Sequence, residues 1–167
     1  RPMFDLTLQI VIFRVVALLP NAAAHGAAIA GTAWLLGDRG PQFDGRLTLS
    51  PLPHLDLVGS LVVVGFALGW IRPIAVNPAE LRPGRAGLVV IAIAGIAANL
   101  LLAVVLQLLR LPVLNLLPGT LGLSGVALLD LAASLSIWFA VFNLIPVPPL
   151  TAGLVLLMAT PVARVAA

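Results

Sequence analysis

Apolar residues in this chain fall into long unbroken runs, separated by short stretches where Arg, Asp, Pro and Gly collect. The runs cover about residues 6–36, 57–71, 86–109, 123–145 and 150–162. A bilayer core takes about 20 apolar residues in a helix, so the run 86–109, ending at Arg110, predicts a complete transmembrane helix. The first run is too long for one upright span. Pro20 inside it predicts a kink, a tilt, or an interfacial helix leading into a span. Its second half, from Ala22 to Leu36, is rich in Ala and Gly, which let neighbouring helices approach closely. The run 57–71 is short for a full crossing and predicts a tilted or partly re-entrant segment. A turn punctuated by Pro and Gly, 111–122, leads into the run 123–145. Pro146, Pro148 and Pro149 must then end the helix, because none has an N–H to donate. The last run, 150–162, is long enough to span only partly. Between the first two runs, 45–51 alternates weakly and ends on Pro51, which predicts a short strand-like insertion near 45–50. The predicted fold is an all-α integral membrane protein of four to five spanning or partly spanning helices. It forms a single membrane-embedded domain over 1–167.

Composition strengthens this reading. Of the 167 residues, 61% are hydrophobic and 9% are charged. A water-soluble domain carries about 25% charged residues, so the chain lacks the charge to coat a globule. The basic balance is made of nine Arg over six acids, with no Lys, and the Arg are scattered. Basic residues beside apolar runs contact lipid headgroups, so the expected partner is the bilayer and no nucleic acid is expected. With no Cys there is neither a disulfide framework nor a thiolate metal site. Arg14 and Asp5 interrupt the first run, and no small-residue cleavage site follows a compact apolar core, unlike a signal peptide. If every run crosses in turn, the N-terminus shares a side with loop 72–85, and Arg1, Arg72, Arg82 and Arg85 there outweigh Arg39, Arg46 and Arg110 opposite. Lys-free, Ala/Leu/Val-heavy usage fits a GC-rich bacterial source, hence an expected multi-pass protein of the bacterial inner membrane.

Several stretches carry a family likeness. Gly37-Asp38 followed by Gly45-Arg46-Leu47-Thr48-Leu49-Ser50-Pro51 and His54-Leu55-Asp56 is one; Gly69-Trp70 through Pro73 to Val76-Asn77-Pro78 is another. Ala94-Gly95 with Asn99, and Phe142-Asn143-Leu144-Ile145-Pro146-Val147-Pro148-Pro149-Leu150, complete the set. In this order, over about residues 20–153, the chain resembles the site-2 protease family of intramembrane zinc metalloproteases. The resemblance implies a helix carrying H-E-x-x-H, whose two His bind zinc on one helix face while the Glu polarises water, with a distant Asp as third ligand.

Aligned on those flanks, the H-E-x-x-H stretch falls on Asn21-Ala22-Ala23-Ala24-His25, and the aspartate position falls on Thr151. The first His is Asn21, the Glu is Ala22, and His25 alone remains. Zinc takes at least three protein ligands from His, Cys, Asp or Glu, and Ala22 cannot accept a proton. The resemblance with these losses therefore implies a non-enzymatic chain, with catalytic positions vestigial at Asn21, Ala22, His25 and Thr151, and with the family's zinc lost. Removing the acids also avoids about 2.5–3.5 kcal/mol per ionisable group at bilayer depth.

Other polar positions stay open to more than one role. His25 is a lone cofactor ligand or a histidine hydrogen-bonded within the bundle. Asn99 and Asn143 grip an extended peptide or tie helices together. Asp130, a third of the way along its run, serves a proton or ion path, a salt bridge to a partner subunit, or a headgroup-level contact. Trp34, Trp70 and Trp138 read as interfacial anchors. The preferred function is that of a pseudoprotease, an accessory or scaffold subunit held among other integral membrane subunits of a larger complex. One alternative is an active metalloprotease with displaced ligands, drawn from His25, His54, Asp56 or another chain. A second is a small transporter or proton conduit using Asp130.

Overall fold

In the computed structural model, which describes residues 7–159, the protein is all-helical, with no strand among those residues. Helix α1 covers Leu8–Leu36, α2 covers Gly40–Phe43, α3 Leu57–Phe66, α4 Ala86–Leu108, α5 Arg110–Leu116, α6 Gly119–Phe142 and α7 Thr151–Ala159. Three spans, Leu8–Leu36, Ala86–Leu116 and Gly119–Phe142, are long and apolar enough to cross a membrane. The protein is an all-α integral membrane protein.

Local chemistry fixes the ends of these helices. The Thr7 hydroxyl accepts the Ile10 N–H at 3.3 Å to start α1. At the other end Gly37, with φ 120°, turns back so that its N–H reaches Trp34 O. A side chain at Gly37 would also collide with Glu80 O. Pro20 sits within α1, which continues on both sides of it. Asp56 caps α3 through the Gly59 N–H at 2.7 Å, and Arg14 of α1 closes its far end. The Arg14 guanidinium donates to Val64 O at 2.5 Å and Gly65 O at 2.8 Å, a cation set at a helix C-terminus where the backbone dipole is negative.

Helices α1 and α4 run antiparallel in register, with Asn99 facing Asn21 and Gly95 facing His25, and α6 packs against both. Helix α6 stops beside the middle of α1, where the Phe139 ring meets the His25 ring edge-on at a centroid distance of 5.3 Å. The chain then breaks and restarts as α7, whose Thr151 returns to His25. The core is a seam of small and branched residues, among them Ala22, Ala30, Ala33, Leu88, Ile91, Ala132, Leu135 and Phe139.

Several sequence expectations change. The stretch 45–50 is a turn and a series of bends, because Arg46 faces inward and Gly45 takes a positive φ of 68°, which breaks the alternation. The expected turn 111–122 holds a helix, α5. Trp138 lies at the depth of His25 beside Phe139 and is 55% exposed, so it faces the apolar surroundings and not a headgroup layer. Loop 72–85 does not share a side with the start of α1. Arg82 N–H donates to Leu36 O at 2.8 Å and Asn77 N–H to the Asp38 carboxylate at 2.8 Å, so this loop sits at the end of α1. The reason is length: ten residues of α3 rise about 15 Å, half a bilayer, so the chain dips in and returns. The expected positions Asp5 and Arg1, and the end of the last run past 159, lie outside the described residues.

This re-entrant path makes a direct prediction. Single cysteines placed at Asp44 and Ala79 should react with an impermeant maleimide from the same membrane face, and one at Leu117 from the opposite face. Labelling of 44 and 79 from opposite faces would mean that α3 crosses.

Candidate functional site: a buried polar network

Where α1, α4, the end of α6 and the start of α7 meet, five polar side chains are buried together: Asn21, His25, Asn99, Asn143 and Thr151. The 3.6-residue period puts Asn21 and His25 on one face of α1, one turn apart. Asn21 Nδ2 donates to Ala17 O at 2.9 Å, and its Oδ1 accepts Asn99 Nδ2 at 2.9 Å. His25 Nδ1 faces two acceptors, Gly95 O at 2.9 Å and Asn99 Oδ1 at 3.1 Å, which places the ring proton on Nδ1. Nε2 then accepts, and the Thr151 hydroxyl is its neighbour at 2.9 Å.

Asn143 bridges the break between α6 and α7. Its Oδ1 accepts the Thr151 N–H at 3.2 Å and lies 3.0 Å from the Thr151 hydroxyl. Its Nδ2 donates to Phe139 O at 2.9 Å and Gly69 O at 3.2 Å. Asn143 backbone O takes the Ala152 N–H at 3.0 Å. Within the break Leu144, Ile145, Val147 and Leu150 donate to backbone carbonyls, and Pro146, Pro148 and Pro149 have no N–H to leave unpaired. In lipid an orphan donor costs several kcal/mol. The prolines that end the helix thus also spare the break three donors.

A second polar layer, less legible in the sequence, supports the segment 71–76, which lies outside any helix. Asp38 is buried and accepts Gly40 N–H and Asn77 N–H, both at 2.8 Å. Arg46 is buried and donates to Pro53 O, to Pro73 O at 2.9 Å and to Arg72 O at 3.5 Å. Burial, with Arg72 nearby, lowers its pKa from the ordinary value while Asp44 opposes the shift. These two charges hold the start and end of the segment. The motif letters around them carry the family likeness without disclosing that role.

His54 lies under the same layer, fully buried. Its Nε2–H donates to Thr48 O at 3.0 Å, which leaves Nδ1 as a lone pair without a partner, pressed against the Cα of Gly26. Burial, the largest effect, holds its pKa below the ordinary 6.5, partly offset by the Thr48 carbonyl.

An apolar cleft opens above the network. It is a half-open cleft with an accessible volume of about 40 Å³, lined by Ile74 and Val76 from the loop, Leu88 and Ile91 from α4, and Leu154 and Val155 from α7. Asn143 and Thr151 form its floor. Asp130 is not part of this site. It pairs with Arg110 at 3.1 Å and with Gln107 Nε2 at 3.3 Å, on a half-exposed surface at the other end of α4.

The structure therefore brings together Asn21, His25, Thr151, Asn99 and Asn143, and leaves Ala22 as a packing residue of the same seam. All five are joined through direct hydrogen bonds, an arrangement the alignment of separate motifs cannot state. Among the described residues no three His, Asp or Glu side chains lie close enough to hold a metal ion.

A curated protein of Bacillus subtilis (strain 168), named "Putative zinc metalloprotease YwhC", is 33% identical over 151 residues, covering 86% of this chain and 67% of the relative. The chain belongs to the site-2 protease-like family. No family model and no solved structure matches it. The comparison corrects the expectation of a non-enzymatic chain, because the site-2-protease-like relative carries a metalloprotease name, which points to a protease. Residue losses at three positions, Asn21, Ala22 and Thr151, describe what this chain offers a metal; they do not decide activity.

Two measurements probe the packing. Gly26→Ala would drive a methyl into the His54 ring, and overpacking of this kind costs about 1–3 kcal/mol. A fall in the thermal midpoint in detergent is expected, and an unchanged midpoint would count against the contact. The depressed His54 pKa means that the unfolded chain binds this proton more readily. Its contribution to stability is complete above 6.5, and is lost as pH falls through the folded value. The midpoint should drop from pH 7.5 towards pH 5, and less so in His54→Asn.

Proposed function

We propose that this site-2-protease-like chain holds an extended, apolar segment of a partner protein along residues 71–76, as an accessory or scaffold subunit of a larger membrane complex. One observation carries the reading. The backbone N–H and C=O groups of Ile74, Ala75 and Val76 make no hydrogen bond among the described residues, although the segment lies outside any helix and is held by Arg46 and Asp38. An unpaired backbone edge is a template for strand addition by an incoming chain.

The chemistry of the cleft defines the occupant. Its floor atoms, on Asn143 and Thr151, are engaged with each other, Gly69, Phe139 and His25. Its walls are Ile, Leu, Val, Pro and Met. The occupant's side chains are therefore apolar, and its polar contacts run through the backbone. The setting is a multi-pass protein of the bacterial inner membrane, with the bilayer and other integral membrane subunits as partners. The relative's name supports a second reading, in which the held segment is a protease substrate. That reading needs metal ligands beyond the five side chains of the network.

Photo-crosslinking from position 75 in native membranes, followed by mass spectrometry, tests the proposal. A small fixed set of crosslinked membrane proteins is expected, and Ala75→Pro, which removes an edge donor, should weaken the capture several-fold. Crosslinks to lipid alone, or capture indifferent to Ala75→Pro, would refute it. Cleavage of the captured segment would select the second reading.

A further inference from the structure

We infer that the position aligned with the family's zinc is closed in this chain by a metal-free latch. His25 holds Thr151 on one side and Asn99 with Asn21 on the other, fastening α7 to α1 and α4. The latch is independent of what occupies the cleft.

The donor set does not fit zinc. Zinc takes nitrogen lone pairs of imidazole, thiolates and carboxylates, and the one imidazole here has neither nitrogen free. Its Nδ1 carries a proton shared between Gly95 O and Asn99 Oδ1, and its Nε2 lone pair faces the Thr151 hydroxyl. The neutral amides and hydroxyl that stand at the other ligand positions are weak ligands for zinc.

The proton arrangement closes without a cation. Thr151 has one hydroxyl proton and two nearby acceptors, His25 Nε2 at 2.9 Å and Asn143 Oδ1 at 3.0 Å. With the ring proton on Nδ1, Nε2 has no other donor, while Asn143 Oδ1 also receives the Thr151 N–H, so the hydroxyl proton lies between Nε2 and Asn143 Oδ1. Asn21 Oδ1 receives Asn99 Nδ2. A site shaped for an absent cation leaves lone pairs converging on an empty point. Here no side-chain N or O of the five is left without a partner, while His54 Nδ1, outside the network, is the unpartnered buried side-chain atom among the described residues. The network is also uncharged, which suits its depth in the bilayer.

The tether has structural work to perform. Helix α7 has nine described residues and follows an eight-residue break; beyond the packing of Val155 and Met158 on the core, the latch ties its first turn to α1. Thr151 at its first turn is the point where His25 and Asn143 both grip it.

Elemental analysis of the full chain, purified in detergent and dialysed against zinc, gives the first readout. Zinc well below one per chain is expected, with a thermal midpoint unmoved by chelator or by added zinc. Thr151→Val keeps the side-chain shape and removes the hydroxyl; its midpoint should fall by about 2–4 °C. The nitrogen spectrum of His25 should show the Nδ1–H tautomer in the wild type. Stoichiometric zinc that disappears in His25→Ala, or a midpoint that drops on chelation, would overturn the latch. An unchanged midpoint in Thr151→Val would overturn it equally, whether or not the His25 variant folds. Loss of crosslinking at position 75 with these readouts intact would strike the cleft reading alone.

Discussion

Every backbone N–H placed in hydrocarbon must find an acceptor within the protein, and the architecture of this chain follows from that demand. Long helices meet it by themselves. The break between α6 and α7 meets it through three prolines that have no N–H and a run of carbonyl contacts from 143 to 152. Asn143 adds a side-chain amide that acts as a piece of backbone, accepting from one helix start and donating to the helix end before it. The segment 74–76, in the loop that borders the cleft, keeps its backbone groups unpaired among the described residues.

The polar side chains divide by depth in a way that the same demand explains. Within the helix bundle the network is neutral, built of amides, an imidazole and a hydroxyl, each of whose polar atoms has a partner. Towards the loop end lie the charges, Asp38 and Arg46, each buried yet ringed by backbone groups of opposite polarity. Arg14 plays the corresponding part for the re-entrant α3, where a helix ends inside the protein and its last carbonyls need a donor. The exposed Arg110–Asp130 pair, by contrast, contributes little, as half-exposed ion pairs do.

Much of this was readable from residue order. The apolar runs specify helices in a bilayer because nothing else buries so many apolar residues with so few charges. The prolines at 146–149 mark the break, and the shortness of 57–71 marks a segment unable to cross upright. The alternation at 45–50 misled, since period-two patterning over six residues is weak beside one inward Arg that needs carbonyl acceptors. The Arg count along the loops misled about sidedness, because it assumed a crossing that a ten-residue helix cannot make. The losses at Asn21, Ala22 and Thr151 state which ligand types are gone but not what the substitutes do.

By itself, then, the sequence determined the solvent, the helical class, the places where helices stop and the family likeness, all of which rest on local composition and on residues near each other in the chain. The tertiary structure decided the rest. Only packing brings Thr151 to His25 across 126 positions and Asn99 to Asn21 across 78, turns a missing ligand set into a hydrogen-bonded set, and returns loop 72–85 to the end of α1. It also decides which stretch of backbone stays unpaired. Hydrogen bonds between distant residues depend on directions and separations that no local pattern encodes, which is the physical reason the site became visible only in the fold.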